Sequence, residues 1–400
     1  MKKAIFILAI FLIVTAESRG QRQTGNDDFI KVDVTKNYSP KKELILQDFM
    51  DVEYIALETN DDFLNQGVMQ DIGKIFLIVT NEKNINDGNI FVYDRSGKAI
   101  RKINHKGQSG KEYVFISSIV LDEDNNEMYV HSHSERKIQV YDLSGQFKRS
   151  IQYGTDTGGW AKLNDRSFSF YTKIFNYDRE NLICYHSYDE DRAFVLISKQ
   201  DGSITKKIEI PVKKTKFLRK TLLDLENMTE RSVTPRYREL FPHKGNWVLV
   251  EISSDTMYTF FPDHSLRPVF VRTPSVQSME PEVFLLPRLF SDRYCFMEAA
   301  RNEYNFDTNS GFPRTFFMYD KQEQALLGYT VYNGDYSIKK EMYMDAAWPV
   351  SHDIESWYPL EAYQLVESYK KGELKGKLKE IAAKLDEEDN RVIMLIKHKK

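Results

Sequence analysis

The chain has 400 residues, 41% hydrophobic, 13% aromatic and 29% charged, with a formal net charge of −3. That is ample apolar material for a large core, and the interspersed charges give no general reason to bind nucleic acid or an anionic membrane. Two cysteines, Cys184 and Cys295, are too few for a disulfide framework. They either bridge in an oxidising compartment or fill the core as small apolar residues.

The first element reads as an export signal. Lys2 and Lys3 precede an apolar run from Ala4 to Ala16, and Ala16-Glu17-Ser18 offers small residues where a signal peptidase reads. The run is shorter than the roughly 20 residues of a transmembrane helix. No cysteine lies near the cleavage region, so a lipid anchor is not indicated. Residues 1–20 are predicted as a signal peptide, 21–48 as a polar lead-in and 49–400 as the folded domain. This places the protein in the periplasm or outside the cell, with no transmembrane segment after cleavage.

A phrase then occurs twice. Residues 89–103 read NIFVYDRSGKAIRKI and residues 137–151 read KIQVYDLSGQFKRSI, 48 residues later. A self-match at that period is the mark of a propeller blade. In each copy a β-branched and aromatic run suits a half-buried strand. Tyr93-Asp94 with Gly97, and Tyr141-Asp142 with Gly145, supply a turn, and a second strand follows. Weaker hairpin phrases start at Phe194, Asp255 and Phe316. Five hairpins are visible, and a sixth blade would combine Phe49–Leu57 with a strand from the other chain end. About 54 residues per blade between 30 and 355 agrees with six. Past residue 360, good helix formers predict a helical insertion at about 361–386, and Val392–Ile396 reads as a closing strand at about 391–397. The predicted fold is an all-β six-bladed β-propeller with a short C-terminal helical segment before the ring-closing strand.

These residues resemble the six-bladed propeller proteins with NHL-like repeats common in Bacteroidetes. The resemblance rests on Val52–Glu58 as an opening strand, on Val92-Tyr93-Asp94 with Gly97, and on Gly107-Gln108-Ser109-Gly110-Lys111-Glu112-Tyr113. The family usually has Gly-x-Gly-Pro-x-Glu-Tyr there, so Gly107, Glu112 and Tyr113 are kept while Ser109 and Gly110 depart. Asp255–Tyr258 is similar to a later blade motif, and Asn390-Arg391-Val392 is similar to a C-terminal Asn-Pro-Val strand with Arg391 in place of Pro. The resemblance implies architecture and no particular activity.

Candidate chemistry is sparse. His131 and His133 would share one face of a strand and could hold a metal with Glu135, or simply end a polar strand. The Gly107–Tyr113 loop could face an anion or tie one blade to the next. Asp122–Glu127 reads as a solvated turn or a cation-attracting loop that lacks the calcium-loop pattern. No Gly-x-Ser-x-Gly elbow occurs. Trp160, Tyr171, Tyr185, Tyr188, Trp348 and Trp357 are candidate aromatic platforms for sugar rings or peptides, or else inter-blade packing. The resulting expectation is a monomeric exported binding or scaffold module for a small ligand, glycan or protein partner, with no assigned reaction and no required cofactor, a divalent metal remaining open. The alternative is a propeller-type hydrolase or lyase, metal-assisted as in gluconolactonase-like propellers.

Overall fold

The computed structural model describes residues 29–82, 85–153, 171–186, 193–224, 227–344 and 351–399. Its strands form the blades of a six-bladed β-propeller around a central channel. Blade one is built from Val68–Ile72, Phe76–Thr80, Asn89–Asp94 and Ala99–Asn104, and blade two from Ser118–Asp122, Glu127–Ser132, Lys137–Tyr141 and Phe147–Gln152. Blade three runs from Tyr171–Asn176 to Ile204–Ile208, blade four from Leu240–His243 to Leu266–Thr273, and blade five from Val283–Phe290 to Ala325–Tyr332. Each is an antiparallel four-stranded meander with its first strand innermost.

Strand composition follows from blade stacking. Residues of a middle strand point alternately at the two neighbouring blades, so both faces are buried. In blade three, Leu182 and Cys184 pack with blade two, while Ile183 and Tyr185 pack with blade four. Outer strands meet solvent on one side and alternate instead, as in Ala99-Ile100-Arg101-Lys102-Ile103-Asn104. The buried apolar residues divide into six clusters, one between each pair of consecutive blades, including one that joins blade six to blade one. Cys184 and Cys295 are buried in blades three and five and are not bonded to each other.

In blades one and two the repeated Tyr-Asp-x-Ser-Gly phrase makes the turn before the outer strand. The Asp94 carboxylate accepts from Ser96 N at 2.8 Å, Ser96 Oγ at 2.6 Å and Lys98 N at 3.1 Å. Asp142 does the same with Ser144 and Gln146. The matching turns place Gly97, Gly145, Gly202, His264 and Gln324 at positive φ. Each glycine turn abuts the outer strand of the preceding blade: Gly145 meets Ile103, Gly202 meets Ile151, and Gly97 meets Ala56. Asp51–Ala56 is therefore the outermost strand of blade six.

Both chain ends build blade six. Val392–Lys397 lies between Ile354–Leu360 and Asp51–Ala56, antiparallel to both. The predicted helical insertion is present as Ala362–Lys370 and Gly376–Ala382, packed on the cluster between blades five and six. Buried Asn390 fastens the junction to blade one: its Nδ2 donates to Glu58 O at 2.9 Å and Phe63 O at 2.6 Å, and its Oδ1 accepts from Asn65 N at 2.9 Å. Within the predicted lead-in, Ile30–Asp33 and Lys41–Ile45 add parallel fifth strands to blades four and five. No helix among the described residues is long and apolar enough to cross a membrane.

A Cβ at position 97 would lie 2.1 Å from the Ala56 carbonyl oxygen, whereas one at 145 would lie 3.2 Å from a flexible Ile103 side chain. We expect Gly97→Ala to cost about 2–4 kcal/mol of stability and Gly145→Ala about 1–2 kcal/mol, read from urea midpoints. Equal losses would contradict the placement of strand Asp51–Ala56 against this turn.

Candidate functional site

The channel has two mouths. At the near mouth, where the inner strands begin, there is a cavity of about 610 Å³. Its wall comes from the inner strands of blades one to three, from Glu239 and Ile252 of blade four, and from Trp357 of blade six. The long connection from blade three to blade four completes it through residues 217–219 and 234–237. That connection carries its own hairpin, Lys220–Asp224 with Thr229–Val233. At the far mouth, where the inner strands end, a second cavity of about 580 Å³ includes Trp247, His352 and His398. Asp71 and Phe175 line both cavities.

Two polar groups on the near cavity stand out. Glu239 Oε2 and the Trp357 indole Nε1 are buried without a hydrogen-bond partner. Buried polar atoms are nearly always satisfied, so two lining residues that each carry an unpartnered polar atom single out this cavity as the candidate ligand site. Burial raises the Glu239 carboxyl above its ordinary range; Lys173 opposes this and Glu251 adds to it. Asp71 accepts from Leu121 N at 2.7 Å and Ile72 N at 2.8 Å. Burial still pushes its carboxyl up to about 7.

A third group gathers near the far mouth. His243 ends the inner strand of blade four, Glu355 lies near the start of Ile354–Leu360, and His398 follows the closing strand. One donor atom from each lies within 4.8 Å of the other two. Glu355 is 1% exposed. Its Oε1 accepts from Arg238 Nη1 at 3.1 Å and Phe290 N at 3.0 Å. Burial alone would raise this carboxyl, but His243, His398 and the Arg238 charge outweigh it and hold the group at about 2.

The aromatic candidates fare unevenly. Trp357 is half-buried on the near cavity. Tyr185 reaches the same wall but belongs to the core: its ring packs on Phe194 with centroids 4.7 Å apart, and its hydroxyl donates to Glu251 Oε2 at 3.0 Å. Buried on both sides, it has no open face on which a ligand could stack. Tyr171 begins the inner strand of blade three. Trp160, Tyr188 and Trp348 lie outside the described residues.

The structure does not draw His131, His133 and Glu135 to a common point. His131 is engaged by Ser118 Oγ at 3.3 Å and Tyr153 OH at 2.5 Å, His133 Nδ1 by Ser117 Oγ, and Glu135 by Val114 N at 3.3 Å. Their hydrogen-bonding capacity goes into blade two and its crossover. The Gly107–Tyr113 loop is tied in the same way. Glu112 Oε2 accepts from Ser109 N at 2.8 Å, Tyr113 OH donates to Gly88 O at 2.8 Å, and Tyr141 OH donates to Lys111 O at 2.7 Å. Tyr93 repeats the role in blade one, accepting from Asn65 Nδ2 at 2.6 Å. His243, Glu355 and His398 carried no local signal, since blades four and six bring them together only in the folded ring, and Glu239, at the other mouth, had none either.

Comparison with known proteins bears on the fold and the family. None of the curated proteins compared matches the chain. Among solved structures, a Bacteroides fragilis NCTC 9343 protein named as a candidate exported protein has a TM-score of 0.55 at 15% identity. The match covers 93% of this chain and 99% of that one, and shows a shared fold. A member of the DUF4221 family from Bacteroides vulgatus aligns at TM-score 0.44 and 11% identity, over 88% of this chain and 99% of that one. A streptogramin B lyase aligns at TM-score 0.31 and 10% identity, over 73% and 96%. A family profile described as Domain of unknown function (DUF4934) matches residues 29–397. That match spans nearly all of the described chain, and the protein belongs to the DUF4934 family.

Proposed function

We propose that the protein is an exported ligand-binding propeller that takes a carbohydrate in its near cavity. The observation that carries this is that Trp357 and Glu239 both line the cavity, one with an unpartnered N–H and the other with an unpartnered carboxylate oxygen. A sugar hydroxyl both donates and accepts, so a polyhydroxylated ligand can satisfy both groups. Half-buried Trp357 adds an indole to the cavity lining, and indoles favour the apolar faces of sugar rings. The cavity of about 610 Å³ is within the range of small-ligand sites. Export is supported by the basic and apolar N-terminal run and by the name of the Bacteroides fragilis neighbour. The reading keeps the blades as NHL-like repeats, on the shared Tyr-Asp and Gly turn phrase.

Soluble glycans and short peptides, titrated calorimetrically, test this reading. We expect one glycan class to bind saturably, and Trp357→Phe and Glu239→Gln each to weaken it about tenfold, or about 1.4 kcal/mol. Binding by peptides alone, or glycan binding indifferent to both substitutions, would overturn it.

The alternative, a propeller-type hydrolase or lyase, draws on Asp71. A carboxyl titrating near 7 in a channel is the kind of group that serves as a general acid or base. Its sign is opposite to that of a salt-bridged carboxylate. The folded state retains the Asp71 proton between the ordinary value of 3.8 and about 7, where the unfolded chain has lost it. This residue's contribution to stability therefore falls as pH rises through that window. We expect Asp71→Asn to gain stability relative to the native chain on going from pH 5 to pH 8, measured as the difference in urea midpoints. A pH-independent difference would remove Asp71 from consideration as a titrating group.

A further inference from the structure

We propose that His243, Glu355 and His398 form a divalent transition-metal site at the far mouth of the channel, with Zn²⁺ as the favoured ion. His243 Nδ1 and His398 Nε2 each lie 3.4 Å from Glu355 Oε2. Zinc bonds of about 2.0–2.2 Å put neighbouring tetrahedral donors about 3.4 Å apart, so the site needs little rearrangement to close on an ion. The His398 contact with Glu355 is long for a hydrogen bond, and neither ring nitrogen of His398, both buried, has another partner. No other hydrogen bond competes for either nitrogen, so the ring can present one of them to an ion.

The surroundings fit the same reading. Arg238 Nη1 and Phe290 N hold Glu355 Oε1, which leaves Oε2 for the two histidines and fixes the carboxylate's orientation. The guanidinium also offsets the carboxylate charge. Two neutral imidazoles and one compensated carboxylate suit Zn²⁺ and disfavour Ca²⁺ or Mg²⁺, which ask for several oxygen ligands. Three protein ligands leave at least one coordination position, and His398 lies on the far cavity, so a water or a small ligand can complete the set. The ion would join the end of blade four's inner strand to the residue that follows the closing strand. The site lies at the opposite mouth from Trp357 and Glu239 and does not depend on the ligand proposed there.

Calorimetric titration of the chelator-treated protein with Zn²⁺ tests the site. We expect one equivalent to bind, and His243→Ala and His398→Ala each to weaken binding at least about tenfold. His352→Ala, a neighbour outside the set, should leave stoichiometry and affinity unchanged. Circular dichroism and melting of each variant separate lost ligation from lost folding. If a ligand variant does not fold, Co²⁺ bound to the native chain decides: intense visible bands of a four- or five-coordinate nitrogen-ligated ion support the site. An aquo-ion spectrum, no saturable Zn²⁺ uptake, or unchanged uptake in His398→Ala would overturn it.

Discussion

Ring closure is the constraint on which the rest of the structure depends. Val392–Lys397 comes from the C-terminal end and is held between Ile354–Leu360 and the N-terminal strand Asp51–Ala56. Without that pairing, blades five and one would each expose an apolar face, since every cluster of buried residues sits between two blades. A closed ring leaves no inter-blade face uncovered. Asn390 marks where closure is locked, because its amide and backbone hydrogen-bond Thr59, Phe63 and Asn65 on the segment leading into blade one. Both candidate sites inherit this dependence. Trp357 sits on blade six, and Glu355 and His398 sit on or just beyond the strands that close it.

The two mouths have different chemistry because different parts of the blades reach them. The near mouth is met by long connections, and the one between blades three and four folds over it with a hairpin of its own. Its wall is mixed, with polar groups such as Glu239 and Asp71 among apolar side chains. The far mouth is met by tight turns and by the chain terminus, which place imidazoles and a buried carboxylate at short range. Asp71 lies on the wall of both cavities.

Much of the fold was legible in the sequence because a blade is a local unit. The turn phrase at Tyr93–Gly97 and at Tyr141–Gly145 needs an aspartate to cap two backbone amides and a residue that tolerates positive φ, and both requirements leave a mark on neighbouring positions. The helical insertion announced itself by composition and the closing strand by its unbroken apolar run. The strands Ile30–Asp33 and Lys41–Ile45 left a fainter mark. The first alternates apolar and polar residues but over a short stretch, and the second turns only Leu44 inward, so both are easily read as part of a polar lead-in. The sites were less legible still. Trp357 was picked as an aromatic candidate, but Glu239, which lines the same cavity, lies 118 residues away on another blade. The His131 and His133 spacing suggested a metal, yet nearby hydroxyls consume those rings, while the histidines that converge are 155 residues apart. Contacts across the axis have no sequence period.

Native-state hydrogen exchange of the backbone amides of Val392–Lys397 tests closure most directly. If both chain ends lock the ring, these amides open only with global unfolding, and their exchange free energies equal those of the middle strands of blades one and two. Exchange faster by several orders of magnitude, with those middle strands still protected, would show that the strand frays on its own and that the ring does not depend on it.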